Sequence, residues 1–120
     1  MRASILFAED DLTLQRLVAE QLSEQGYSVT TADNGLQAIE LLDRQQFDLA
    51  LLDIRMPGKD GLEVLQHLRE HTPLTRAVML TGVDEFSVAL SAMKLGANDY
   101  ITKPFSLADA LACIARVLER

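Results

Sequence analysis

The sequence predicts an α/β fold in which a parallel five-stranded sheet carries helices on both faces. Three observations support this. Short apolar runs alternate, five times along the chain, with segments in which leucine, valine and alanine recur at helical spacing. The runs at residues 5–7, 49–52 and 77–80 are continuously apolar, as in strands buried from both sides. A strand followed by a helix and another strand is a crossover unit, which makes neighbouring strands parallel.

The elements follow in order. Residues 4–8 form the first strand, and EDD comes directly after it. Leu14, Leu17, Val18 and Leu22 set a helical stripe that Gly26 ends. Residues 27–31 are rich in β-formers. After the Asn34-Gly35 turn, Ala38, Ile39 and Leu42 mark a second helix, and residues 49–52 the third strand. Leu62, Leu65 and Leu68 stripe a third helix that stops before Thr72-Pro73. Residues 77–80 are a fourth strand, closed by Thr81-Gly82. Phe86, Ala89, Ala92 and Met93 suggest a fourth helix ending at Gly96. Residues 99–102 form the last strand, and Leu107, Ala110, Leu111, Ile114 and Leu118 the last helix.

Composition narrows the function. The 120 residues fit one domain, residues 1–120, with no linker evident. No apolar run approaches the roughly 20 residues that span a bilayer, and no signal-peptide pattern opens the chain, so a soluble protein without membrane attachment is expected. The single cysteine, Cys113, cannot form an internal disulfide; it reads as a small core residue, and the cytoplasm is the default location. A formal charge of −7 argues against this domain itself gripping nucleic acid or an anionic membrane, because such binding needs clustered Lys and Arg.

In open parallel sheets, ligands bind beyond the carboxyl ends of the strands, at the point where strand order reverses. Glu9 and Asp10 follow the first strand, Asp53 the third, Thr81 the fourth and Lys103 the fifth. With a flavodoxin-like order of 2-1-3-4-5, a (βα)5 three-layer sandwich, the first and third strands are neighbours and Asp10 meets Asp53. Three crowded carboxylates repel, and a cation relieves them. Oxygen ligands suit Mg²⁺, which takes one or two carboxylates and keeps room for a phosphate oxygen. A carboxylate nucleophile beside such an ion can accept a phosphoryl group, with Lys103 and the Thr81 hydroxyl near its oxygens.

ILFAEDD, LLDIRMPGKDG, MLTG and DYITKPF, in that order along the whole chain, resemble the receiver domain of bacterial two-component response regulators. The resemblance implies a non-enzymatic signalling switch. A sensor histidine kinase phosphorylates Asp53; Asp10 ligates Mg²⁺ directly, Glu9 acts through metal-bound water, and Arg55 adds its backbone carbonyl. Thr81 and Lys103 contact the phosphoryl group, Tyr100 is the aromatic switch, and the Lys103–Pro104 bond is cis. Glu9 stands where aspartate is usual in the family. AMKLGANDYITKPF further resembles receivers joined to AAA+ activators of sigma-54 transcription, so a C-terminal AAA+ ATPase or DNA-binding output domain is implied. A homodimer is expected through the fourth helix, fifth strand and fifth helix, with Lys94, Arg116, Glu119 and Arg120 as pairing charges.

Two other functions compete. One is a Mg²⁺-dependent phosphatase that also forms an aspartyl phosphate; such enzymes usually carry a second aspartate two residues after the nucleophile, where this chain has Arg55. The other is a degenerate receiver used only for dimerisation. HLREH fits an H-x-x-E-H zinc-protease pattern. Its helix stops at Thr72-Pro73 and already spends its apolar face on leucines, so solvated His67 and His71 are expected instead. GKDG lacks the spacing of a phosphate-binding P-loop.

Overall fold

A computed structural model describes residues 2–119. In chain order the elements are β1 (Ser4–Ala8), α1 (Leu12–Glu24), β2 (Ser28–Ala32), α2 (Gly35–Arg44), β3 (Leu49–Asp53), α3 (Gly61–His71), β4 (Arg76–Thr81), α4 (Phe86–Lys94), β5 (Asp99–Thr102) and α5 (Leu107–Glu119). All neighbouring strands are parallel, in the order β2-β1-β3-β4-β5. The α/β class and the flavodoxin-like topology read from the sequence are those of the molecule.

Period-two alternation divides the core into two layers. Leu6, Ala8, Ala50, Leu52, Ala77 and Met79 face a cluster completed by Ala38, Leu42, Val64, Leu65, Leu68 and Ala92 from α2, α3 and α4. Ile5, Phe7, Leu49, Leu51, Val78 and Leu80 point the other way, onto Val18 and Leu22 of α1 and Ile114 and Val117 of α5. Both faces of β1, β3 and β4 are therefore dry, which is why these strands read as unbroken apolar runs. Cys113 is buried in the second layer, as expected for a small core residue.

Caps set the helix starts. The Asp11 carboxylate accepts from the Thr13 and Leu14 amides, and the Asn34 side chain from Gln37. At α3, Asp60 accepts from the Glu63 amide at 2.9 Å while Glu63 Oε1 accepts from the Asp60 amide at 3.2 Å, a complete capping box. Asp60→Ala removes one half of it and is expected to cost about 1 kcal/mol, read as a shift of the urea midpoint at unchanged slope.

Three details differ from the sequence reading. Pairing in the second strand begins at Ser28, not Tyr27, because the Tyr27 amide turns back to the Leu22 carbonyl and finishes the end of α1. The strands β3 and β4 extend to Asp53 and Thr81, so both polar residues still belong to the ladder. On α1 the buried stripe is Gln15, Val18 and Leu22, whereas Leu17 is 48% exposed. The Lys103–Pro104 bond is cis. Among the described residues, no helix is long and apolar enough to cross a membrane.

Candidate functional site

Parallel register brings the predicted polar residues to one rim. Ala8 pairs with Leu52, so Glu9 and Asp53 emerge side by side; Asp53 pairs with Leu80 and Thr81 with Thr102, which puts Thr81 and Lys103 on the next two strand ends. The Lys103 amide donates to the Thr81 carbonyl at 2.7 Å, fixing the chain beyond β5 against β4.

The side chains converge. Carboxylate oxygens of Glu9, Asp10 and Asp53 lie within 4.8 Å of one another. Glu9 is fully buried and Asp53 nearly so, while Asp10 faces solvent. Lys103 Nζ donates to Glu9 Oε1 at 2.8 Å and to Asp53 Oδ2 at 3.1 Å, bridging the two buried acids. Thr81 is buried at the end of β4 beside them. The sequence thus named five residues, Glu9, Asp10, Asp53, Thr81 and Lys103, that share one end of the sheet. Tyr100 lies apart on the outer edge of β5, 36% exposed.

Electrostatics follow from this crowding. Burial, and then the close Asp53 carboxylate, push the Glu9 pKa up to about 7, against the lowering effect of Lys103. For Lys103, burial alone would lower the ammonium, but Glu9 and Asp53 outweigh it and hold its pKa above the ordinary lysine value. The two acids are thus compensated by a single cation, and the set is short of positive charge. Three hard oxygen donors around an under-neutralised centre, with no sulfur or imidazole among them, suit a divalent ion such as Mg²⁺.

Glu9 makes stability depend on pH. Its pKa is higher in the folded protein than the ordinary 4.5, so the native state binds the proton more firmly. Stability from this group is complete below about 4.5 and is lost as pH rises through about 7. In chelator, the melting temperature is expected to fall between about pH 5 and pH 7.5, and Glu9→Gln to flatten that decline.

Arg55 behaves differently from its neighbours. Its backbone amide lies 3.3 Å from Asp53 Oδ1, but its guanidinium leaves the acid cluster and pairs with Glu85. Glu85, buried ahead of α4, also accepts from the Gly82 amide at 2.6 Å and gives no side-chain cap to its own helix. The Arg55 hydrogen bond holds the Glu85 carboxyl below the usual range. This pair ties the loop after Asp53 to the loop after Thr81, and sequence reasoning missed it. The available signal was a charged residue immediately before the apolar run of α4, where a short polar cap would be ordinary.

The HLREH histidines form no metal cluster among the described residues. His67 and His71 stack with ring centroids 4.1 Å apart, and His67 Nε2 contacts Asp43 at 2.8 Å.

A family model for the response regulator receiver domain matches residues 5–115. The chain is 36% identical over 119 residues to the uncharacterized transcriptional regulatory protein YkoG of Bacillus subtilis (strain 168), covering 99% of this chain and 52% of that protein. It is 32% identical over 117 residues to the DNA-binding transcriptional regulator NtrC of Escherichia coli (strain K12), covering 98% and 25%. Among solved structures, NtrX from Brucella abortus superimposes with a TM-score of 0.93 at 33% identity, over 99% of this chain and 27% of that one. The chain therefore spans about half of the first relative and a quarter of the second.

Proposed function

The chain belongs to the receiver-domain family of response regulators, and from that premise we propose that Asp53 accepts a phosphoryl group from a sensor histidine kinase in the presence of Mg²⁺. The observation that carries this is the convergence of Glu9, Asp10 and Asp53 within 4.8 Å, with Lys103 bridging the buried pair.

Transfer forms a bond from an Asp53 carboxylate oxygen to phosphorus and breaks the phosphorus–nitrogen bond of the phosphohistidine, whose electron pair returns to the imidazole. Bound Mg²⁺ would supply charge neutralisation for the acids and the phosphoryl oxygens, held by Glu9, Asp10, Asp53 and the Arg55 carbonyl. The chain does the rest. The sheet holds Asp53 in a dry, fixed position, Lys103 offers its ammonium to oxygens arriving at Asp53, and Thr81 offers a hydroxyl to the same group.

Asp53 phosphorylation then gives Thr81 and Lys103 a partner absent from the unmodified state, the differential contact that a two-state switch requires. Tyr100, exposed here, turns inward as Thr81 is drawn to the phosphate. The surface thereby altered is that of α4, β5 and α5, where Phe86, Leu90, Met93, Leu95 and Tyr100 are exposed. Apolar exposure of this kind supports a homodimer through that face. Of the charges expected there, Arg116 already lies 3.8 Å from Asp99 of its own chain, and Arg120 is outside the described residues. The relatives' names support transcription as the output; to this we add a C-terminal output domain, AAA+ or DNA-binding, and a place in the cytoplasm. Residues 1–120 would act as one signalling domain without turnover of a substrate. A phosphatase is disfavoured, because the position two residues after Asp53 carries a guanidinium committed to Glu85.

The test is labelling with a small radioactive phosphodonor. Wild type should take up label with Mg²⁺ and take up none when chelator is present from the start, and Asp53→Asn should remain unlabelled; equal labelling of both proteins refutes the assignment.

A further inference from the structure

We infer that Gln15 is a positioning residue for the acid pair: its buried amide fixes the peptide joining Glu9 to Asp10 and so sets the metal affinity of the site. This rests on the proposal that the acid cluster binds Mg²⁺.

Gln15 occupies a position of the buried stripe of α1, one turn before Val18 and two before Leu22. An apolar residue would fill that position without cost, whereas a buried amide is unfavourable unless its hydrogen bonds are made. The donor half of this amide is fully used. Nε2 donates toward the Glu9 carbonyl at 3.0 Å, the Ala32 carbonyl at 3.2 Å and Asp33 Oδ1 at 2.8 Å. The Glu9 amide itself donates to the same Ala32 carbonyl at 3.0 Å. Both ends of the Glu9 backbone are therefore tied down, the N–H by β2 and the C=O by Gln15.

The second tie matters more for the site. The peptide unit is planar, so holding the Glu9 carbonyl also holds the Asp10 nitrogen and the plane from which the Asp10 side chain departs. Asp10 is exposed and lacks the packing that fixes Glu9. Its aim at the cluster depends on its backbone; Gln15 anchors the peptide before it, and the Asp11 amide, donating to Glu9 Oε2 at 3.2 Å, ties the peptide after it. Mg²⁺ demands near-ideal octahedral geometry and tolerates little drift of its carboxylates. Outer partners of metal ligands commonly contribute a factor of about 10 to 100 in affinity.

Mg²⁺ titration calorimetry on the full chain tests this, with folding checked by circular dichroism. Gln15→Met keeps the volume and loses the donors; it should weaken Mg²⁺ binding by about tenfold or more. Gln15→Arg restores donors to the same carbonyl and should bind within about threefold of wild type. Val18→Ala, on the same stripe, should lower the melting temperature and leave the affinity unchanged. If Gln15→Met does not fold, Gln15→Asn, whose amide falls short of Glu9, takes its place with the same expectation. Affinity within threefold of wild type in the Met or Asn variant overturns the inference, as does an equal loss in all of these variants, Val18→Ala included. Wild type that fails to bind Mg²⁺ would instead overturn the metal site itself.

Discussion

Replacing Lys103 with methionine is expected to slow phosphoryl transfer to Asp53 by about 100-fold or more, while tightening Mg²⁺ binding. The opposite signs come from one ammonium. Its Nζ lies 2.8 Å from Glu9 and 3.1 Å from Asp53, so it occupies the charge balance of the same acids that would hold the metal. Removing it takes away the donor that meets the incoming phosphoryl oxygens, and positioned donors of this kind are typically worth a factor of about 10² to 10³. It also removes repulsion between a unit charge and a divalent ion a few ångströms apart, which even at the dielectric constant of water is on the order of tenfold in affinity. A competing effect has to be kept out of the measurement. Without Lys103, Glu9 loses a neighbour that lowers its pKa and holds its proton more firmly, and Mg²⁺ must displace that proton. The affinity comparison therefore belongs well above about pH 7, at a pH where the affinity of each protein has stopped rising with pH. Lys103→Arg keeps the charge but offers a planar fork in place of a compact ammonium, and should recover little of the rate. An unchanged labelling rate in Lys103→Met would remove Lys103 from the mechanism.

What could be read from the sequence was what depends on period and on strand ends. Dry strands write themselves as Ile-Leu-Phe or Leu-Ala-Leu-Leu, and the residue that ends such a run has nowhere to be except the rim of the sheet, so Glu9, Asp53 and Thr81 were identifiable before any contact was known. Lys103 followed from the same rule applied to β5. Contacts running sideways from the rim were not legible. Arg55 looked like a backbone ligand in a loop, and nothing along the chain announces that its guanidinium meets Glu85, a residue on a separate loop. Gln15 was hidden for a different reason. Leu14 and Leu17 made an acceptable helical stripe, and choosing between that stripe and the one through Gln15 requires knowing which face of α1 meets the sheet. A glutamine ranks low on any apolar scale, yet here it is buried because its partners are main-chain oxygens, which sequence patterns do not display.

A large loss of stability is expected at residues without a side chain. A Cβ built on Gly61 would lie 2.4 Å from the Asp53 carbonyl oxygen and 2.7 Å from Ile54 Cα, and one on Gly35 would lie 1.8 Å from the Lys59 carbonyl oxygen. These obstacles are backbone atoms and cannot rotate aside. Gly61 begins α3, and its amide donates to the Ile54 carbonyl at 2.8 Å, so the start of the helix rests directly on the segment that carries Asp53. Two effects oppose each other in Gly61→Ala. Helix propensity favours alanine by at most about 1 kcal/mol, the value for a helix interior, and Gly61 is the first residue of α3. Forced separation of packed backbone costs about 3 kcal/mol, at the upper end of ordinary overpacking, because relaxation must move a buried strand of the core. The net expectation is a loss of about 2 kcal/mol, seen as a lower urea midpoint, together with weaker Mg²⁺ binding as the Asp53 peptide is displaced. Gly82→Ala separates this from a general dislike of new methyl groups near the site. There the nearest obstacle, at 2.8 Å, is the Glu85 carboxylate tip, which can swing away, so the fold should lose little while the Arg55–Glu85 pair is disturbed. Equal stability of Gly61→Ala and wild type would mean that the segment after Asp53 makes room for a methyl group at no cost, and that the packing of α3 against the Asp53 and Ile54 backbone does not stabilise the fold.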